Sequence, residues 1–324
     1  MRSEKKRKGK GKVIGFSLLG IVILAAAAIG FEYNQLQPKN HFKTIPVASN
    51  PSGKGKTKSE PQSKTDSVPP FNILLMGSDQ RPGQTIGHSD TMMLMHVDLS
   101  KNEINAVSIP RDTRVHLDGY GYTKLTSVQY ILQAKKGTKQ GIEEAVQAIS
   151  NLTGVPINYY AETNFEGFKS MVDILGGIQM DVPMDVNIGS QTINTGSHFL
   201  DGNTVLALVR ERHSLANGDY GRQLLQLEAL KGIAKGALSK DKISKLPSLA
   251  SSASSYIIDT NISTSDMVSL GLAAKNYDFS KQVNYQQLTG VGEKLYDDIL
   301  KAKNDEIVID PQQIKDVIAK DFQN

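Results

Sequence analysis

The sequence predicts a layered α/β/α domain, a central mixed sheet flanked by helices, preceded by a single N-terminal transmembrane helix. Three observations carry this expectation. Apolar runs at 71–76, 91–97 and 104–109 have the length and turn-bounded flanks of buried strands. Downstream, segments with helical apolar spacing alternate with further strand-like runs, the order expected of a layered α/β domain. Upstream, the uncharged apolar run at 13–31 has about the 20 residues that a helix needs to cross a bilayer.

The chain divides into a basic tail (1–12), the transmembrane anchor (13–31), a linker (34–70) and one folded domain (71–324). The tail carries Arg2, Lys5, Lys6, Arg7, Lys8, Lys10 and Lys12 against Glu4. Cations before the span and none just after it place the N-terminus in the cytoplasm and the domain outside the cell membrane. A cleaved signal peptide is the competing reading, because the alanine run offers small residues to a peptidase; it also exports the domain. The linker is rich in Lys, Ser, Pro, Thr and Gly and poor in large apolar residues, so it reads as a tether. As a flexible coil it would span on the order of 35 Å. The formal net charge of +4 is concentrated in tail and linker, which leaves the domain at −5. A domain so charged is a poor nucleic-acid binder. Cysteine is absent, which excludes disulfides, thiolate metal sites and a thiol nucleophile.

Within the domain, helical spacing recurs at 124–134 and 141–152, with Gly154-Val155-Pro156 as a stop. A strand follows at 158–162, an amphipathic helix at 165–175, a break at Gly176-Gly177 and a strand at 178–182. Leu200-Asp201-Gly202 leads into a helix at 203–212 that ends in two arginines. A turn at 213–218 precedes a long helix at 219–238, which sets Arg222 and Gln226 one turn apart on one face. Residues 239–324 show helical patches at 267–276 and 312–322 and a strand at 307–309; they are expected to complete the core.

Polar residues gather at the ends of the first three strands: Asp79 after the first, His88 and Asp90 opening the second, Arg111, Asp112 and Arg114 closing the third. Ligands of α/β sheets sit outside strand ends, so these groups suggest a site for a phosphorylated ligand. Arginine grips phosphate oxygens bidentately, and Arg111, Arg210, Arg212 and Arg222 could surround one pyrophosphate. Asp79 and Asp90 could bring a divalent cation to it. Taken singly, each arginine reads equally as half of a surface ion pair, Arg212 with Glu211 or Asp219 for example. The six histidines lack the spacing of a zinc site, His96 reads as a core residue, and Gly119-Tyr120-Gly121 is too short to be a phosphate loop. Met92, Met93 and Met95 read as core packing, with a pocket for a flexible apolar ligand as the alternative.

These residues together resemble the LytR-CpsA-Psr family of bacterial cell-envelope proteins. The likeness runs from about Phe71 to Leu230 through NILLMGSD, HSDTMMLMHVD, AVSIPRDT, TKL, LTGVPINYYAETNFEGFKSMVDILGGIQMDV, LDGNTVLALVRER and GDYGRQLLQ. The resemblance implies a phosphotransferase of the polyisoprenyl-teichoic acid to peptidoglycan type. It would move an anionic glycopolymer, wall teichoic acid or capsule polysaccharide, from a polyprenyl-pyrophosphate carrier to a muramyl hydroxyl of peptidoglycan. It also implies Mg2+ or Mn2+ on Asp79 and Asp90, pyrophosphate contacts from Arg111, Arg210, Arg212, Arg222 and Gln226, and an apolar tunnel for the prenyl tail. Asp90, Arg111, Arg210 and Arg212 are the expected catalytic groups. Two positions depart: His88 and Leu225 stand where the family usually has arginine. His88 can still donate hydrogen bonds to the diphosphate; Leu225 cannot. A polyprenyl-pyrophosphate hydrolase, a non-catalytic prenyl-phosphate binder and an envelope regulator are the alternatives.

Overall fold

The computed structural model describes residues 35–42, 46–48 and 68–322. The basic tail, the helix expected at 13–31 and most of the linker lie outside the described residues. Among the described residues no helix is long and apolar enough to cross a membrane.

In chain order a one-turn helix α1 (Pro38–His41) precedes β1 (Phe71–Ser78), β2 (Ser89–Asp98) and β3 (Glu103–Ser108). The hairpin of β4 (Arg114–Leu117) and β5 (Gly121–Lys124) leads into α2 (Leu125–Lys136) and α3 (Thr138–Thr153). Next come β6 (Tyr159–Asn164), α4 (Phe165–Ile174), β7 (Ile178–Val182), β8 (Val186–Ile188), β9 (Gln191–Ile193) and β10 (Gly196–Leu200). Helices α5 (Gly202–Arg210) and α6 (Asp219–Ala237) follow. The last third holds α7 (Leu246–Ser254), β11 (Ile257–Thr260), α8 (Thr264–Ala273), α9 (Phe279–Gln282), β12 (Val283–Gln287), β13 (Val291–Asp297), β14 (Ala302–Val308) and α10 (Pro311–Asp321).

The central sheet is six-stranded, in the order β11-β6-β1-β2-β3-β12. It is mixed: β1 pairs antiparallel with β2 and parallel with β6, and β12 runs parallel to β3. Its middle strands are buried on both faces, which is why they read as continuous apolar runs. On one face Leu74, Met76, Leu94 and Val107 pack against Val128 and Leu132 of α2, Val146 and Ile149 of α3 and Val317 of α10. On the other, Met93 and Ala106 meet Leu227 of α6, beside a second cluster drawn from α4, β7, α5 and α6. The expected α/β/α layering therefore holds.

The structure corrects the sequence reading in several places. Both edge strands, β11 and β12, escape a periodicity search because β12 reads Val-Asn-Tyr-Gln-Gln and neither strand has a fully buried residue. The strand expected at 307–309 is the end of a hairpin, β13–β14. The patches at 267–276 and 312–322 are α8 and α10, and the last third does complete the core through Leu288, Ile309, Ile314 and Phe322. Gly119-Tyr120-Gly121 is the β4–β5 turn, with both glycines at positive φ. The segment read as a tether is also anchored to the domain, and Ala48 forms a bridge with Ile157. Phe42 is buried, stacks on Phe71 with ring centroids 4.5 Å apart, and meets Tyr159 edge-on. His41 Nδ1 lies 2.8 Å from Asp266 of α8.

Candidate active site

The β1–β2 register brings Ser78 opposite Ser89, so Asp79, just past β1, and Asp90, second in β2, share one end of the sheet. Backbone bonding extends the turn: Asp79 N donates to His88 O at 3.1 Å. Strand β3 runs to the same end, where Ile109 N donates to Met92 O and Pro110 releases the chain into Arg111. Parallel β6 ends there too, with Ser78 opposite Asn164. Asn164 caps α4 by accepting from Gly167 N at 2.9 Å, which fixes Phe165 at the rim. The last residue of α5, Arg210, and the first turn of α6, carrying Arg222, close the other side.

Between them lies a cleft of about 810 Å³ whose lining includes Asp79, Asp90, Arg111, Arg210, Arg212 and Arg222. The structure thus brings together six of the eight residues singled out from the sequence. Arg111 Nη1 donates to Asp90 Oδ1 at 2.6 Å. Arg222 Nη2 donates to the Asp90 carbonyl at 2.8 Å and pairs with Asp219 at 2.7 Å. Arg210 lies over the Phe165 ring at 4.3 Å. Arg212 stands beyond the helix, because α5 stops at Arg210 and Glu211 is extended, its carboxylate accepting from the backbone of Arg212 and Ser214. Burial pulls the Arg222 guanidinium below its ordinary pKa, and repulsion from Arg111 and Arg212 works in the same direction against Asp219. Burial also opposes the charge on Arg111, but the carboxylates around it, Asp90 foremost with Asp112 and Asp219, together hold that pKa up. The Nε donors of Arg111 and Arg222 are buried without a hydrogen-bond partner.

Two residues fall outside this cleft. His88 stacks on Tyr130 with ring centroids 4.5 Å apart and reaches Asp79 Oδ2 at 3.3 Å, in a neighbouring pocket that shares Asp79 and Arg81. Gln226 lines an apolar cavity of about 200 Å³ under the cleft, donating to Val209 O at 3.3 Å. That cavity includes Leu75, Met93, Phe168 and Leu230, and it shares Phe165 and Leu206 with the cleft. Of the methionine cluster, then, Met92 is core and Met93 faces both core and cavity. Leu225 is wholly buried in the second apolar cluster, where a guanidinium could not reach the cleft without leaving the core. His96 is buried with Nδ1 2.8 Å from Asn72, a satisfied core residue as expected.

Sequence reasoning missed Arg81, Phe165 and Leu206, which also line the cleft. Arg81 lies two residues after Asp79 and was readable as a loop cation; Phe165 and Leu206 look like helix core until the helices are placed.

A cationic cleft at strand ends, beside an apolar cavity with which it shares Phe165 and Leu206, defines a protein for an amphiphile with an anionic headgroup. The family is found by comparison: the LytR_cpsA_psr family model matches residues 40–317, and the chain belongs to that family. It is 29% identical over 283 residues to the polyisoprenyl-teichoic acid--peptidoglycan teichoic acid transferase TagU of Bacillus anthracis, covering 87% of this chain and 88% of the relative. Among solved structures, B. subtilis TagV is 28% identical with a TM-score of 0.64, covering 78% of this chain and 95% of TagV. Lin1025 of Listeria innocua is 30% identical with a TM-score of 0.61 over the same shares.

Proposed function

We propose that this chain is a phosphotransferase that moves a polyprenyl-linked anionic glycopolymer onto peptidoglycan. The observation that carries this reading is the junction at Phe165 and Leu206 between the arginine cleft and the apolar cavity. The arginines of the first suit a diphosphate, and the apolar lining of the second suits a short part of a prenyl chain. The names of the similar transferases point to the same chemistry.

In the reaction, a muramyl hydroxyl attacks the phosphorus joined to the sugar of the carrier-linked polymer. The P–O bond to the carrier breaks, polyprenyl phosphate leaves, and the hydroxyl proton passes to a base. Negative charge grows on the leaving oxygens, so prepositioned donors at Arg111, Arg210, Arg212 and Arg222 lower the barrier. Asp90 orients Arg111 at 2.6 Å; Asp112 stands 3.8 Å from Arg111 Nε and pairs also with Lys124 at 2.9 Å. His88 would act on the diphosphate through Asp79, whose two oxygens it holds by ring and backbone.

Among the described residues no group of three His, Cys, Asp or Glu is arranged to hold a metal. A two-carboxylate wall still suits Mg2+ or Mn2+, because such ions take one or two carboxylates and complete their shell with phosphate oxygens and water. Asp79 and Asp90 would hold the ion, which would supply charge neutralisation at the diphosphate. The apolar run at 13–31 with its cationic tail supports a single membrane anchor, with the N-terminus in the cytoplasm and the domain outside.

Transfer of a labelled lipid-linked glycan to peptidoglycan by the wild type and by Arg212→Ala tests the reading. Loss of transfer is expected; undiminished turnover would remove the arginine clamp. Release of free polymer without acceptor labelling would favour the hydrolase.

A further inference from the structure

A second pocket, of about 540 Å³, borders the cleft and shares Asp79 and Arg81 with it. The rest of its lining is the loop 83–87, His88 and Tyr130 of α2. The loop is tied down at several points. Gln80 N donates to Ser78 Oγ at 3.2 Å, Arg81 N to Gln84 Oε1 at 3.0 Å and Gly87 N to Gln133 Oε1 of α2 at 2.8 Å. Thr138 Oγ1, at the start of α3, donates to Thr85 O at 2.8 Å. At position 87 only glycine fits, since a Cβ there would lie 2.5 Å from Ser78 Oγ.

This pocket and the apolar cavity lie on opposite faces of the sheet. The cavity takes Leu75 and Met93 from β1 and β2 and is closed by Phe168 of α4, Leu206 of α5 and Leu230 of α6. Tyr130 belongs to α2, which packs on the other face through Val128 and Leu132, against Leu74 and Leu94. In a phosphoryl transfer the attacking and leaving oxygens stand roughly in line across the phosphorus. With the leaving polyprenyl phosphate held on the cavity side, the acceptor hydroxyl has to arrive from the face on which this pocket opens.

We propose that the pocket is the acceptor subsite, holding a muramyl sugar of a peptidoglycan strand with one hydroxyl turned into the cleft. The assignment rests on the transferase reading. A pyranose ring has a face of C–H groups and a rim of hydroxyl and amide groups. His88 and Tyr130 stack with ring planes 5° apart, and 39% of Tyr130 and 39% of the His88 side chain stay exposed, which leaves aromatic surface for the C–H face. Ile86 adds apolar surface, while Gln84 and the loop backbone supply polar groups for the rim. Arg81, exposed where pocket and cleft meet, suits the carboxyl-bearing lactyl substituent that distinguishes a muramyl sugar from other hexosamines.

Steady-state transfer by the full chain in detergent tests this, with a soluble muramyl glycan varied at fixed lipid-linked donor and then the donor varied at fixed glycan. Tyr130→Ala is expected to raise the KM for the glycan roughly tenfold or more, the order for truncating an aromatic contact, and to leave the KM for the donor unchanged. Tyr130→Phe keeps the ring and should stay near the wild type. If Tyr130 only braced His88 and Asp79 against the diphosphate, the donor KM would rise too. That result, or an unmoved glycan KM, overturns the acceptor subsite and leaves the transferase reading standing. Should Tyr130→Ala not fold, hydrogen exchange of the wild type with the same glycan and no donor decides. Slower exchange at 83–88 and in α2 around Tyr130 supports the subsite. Protection elsewhere, as at Asn203 and Thr204 in another pocket beside the cleft, or none, overturns it. A wild type protected at 83–88 that transfers nothing ends the transferase reading and the acceptor role with it.

Discussion

Asp90 of β2 and Arg111, in the turn just past β3 and 21 positions on in the chain, meet at 2.6 Å with the Asp90 backbone carbonyl held by Arg222 at 2.8 Å. One residue thus orients two of the cleft's five arginines, by its side chain and by its main chain. A change at Asp90 therefore disturbs both guanidinium groups at once.

Arg111→Ala is expected to lower glycan transfer by about 100-fold or more, the range for losing one prepositioned donor to a transition-state oxyanion. Arg111→Lys should recover little of it, since an ammonium cannot reproduce the planar fork that bridges Asp90 and a phosphate. Single-turnover transfer kinetics, with a thermal melt to show that both variants fold, checks this.

The anchoring of the segment before the domain has a measurable weight. Phe42 is 5% exposed and sits between Phe71 and Tyr159. Phe42→Ala should cost about 3 kcal/mol, from lost burial and the void left between two rings. Urea unfolding of the folded region beginning near residue 35 measures it, and a protein beginning at residue 68 should show a loss of similar size.

Arg114 and Glu306 form an ion pair in which the carboxylate is 1% exposed. Arg114→Ala strands that charge and should cost about 3 kcal/mol, whereas removing both with Glu306→Leu should recover much of it. Because Ile307 N donates to Asp112 O at 2.8 Å, next to Arg111, the single variant should also slow transfer. A double-mutant cycle by chemical denaturation, read beside activity, separates the two effects.

Glu162, fully buried on β6 and accepting from Gln129 of α2 at 2.5 Å, predicts a pH-dependent stability. Its pKa rises on folding from 4.5 to about 7, so the folded state holds a proton that the unfolded chain has lost in that window. Its contribution is complete below pH 4.5 and declines through pH 7, by about 3 kcal/mol in total. Thermal melts of Glu162→Gln should lack that decline, so the variant should gain on the wild type as pH rises from 5 to 7.

The sequence by itself determined the buried strands, the helices that alternate with them and the chemical types at the strand ends. Those features depend on local periodicity and on where apolar runs stop, and both are written in neighbouring residues. The motif order from Phe71 to Leu230 was legible for the same reason. Only the tertiary structure decided which of the polar residues share a space. Arg111, Arg210, Arg212 and Arg222 converge because β3 and α5 end, and α6 begins, at one end of the sheet's strands. His88 turns aside onto Tyr130 and Leu225 turns into the core, since a side chain's direction follows from the packing of its element and not from its place in a motif. The polar edge strands and the sharing of Phe165 and Leu206 by cleft and cavity have no local signature. Each exists only through contacts between segments far apart in the chain.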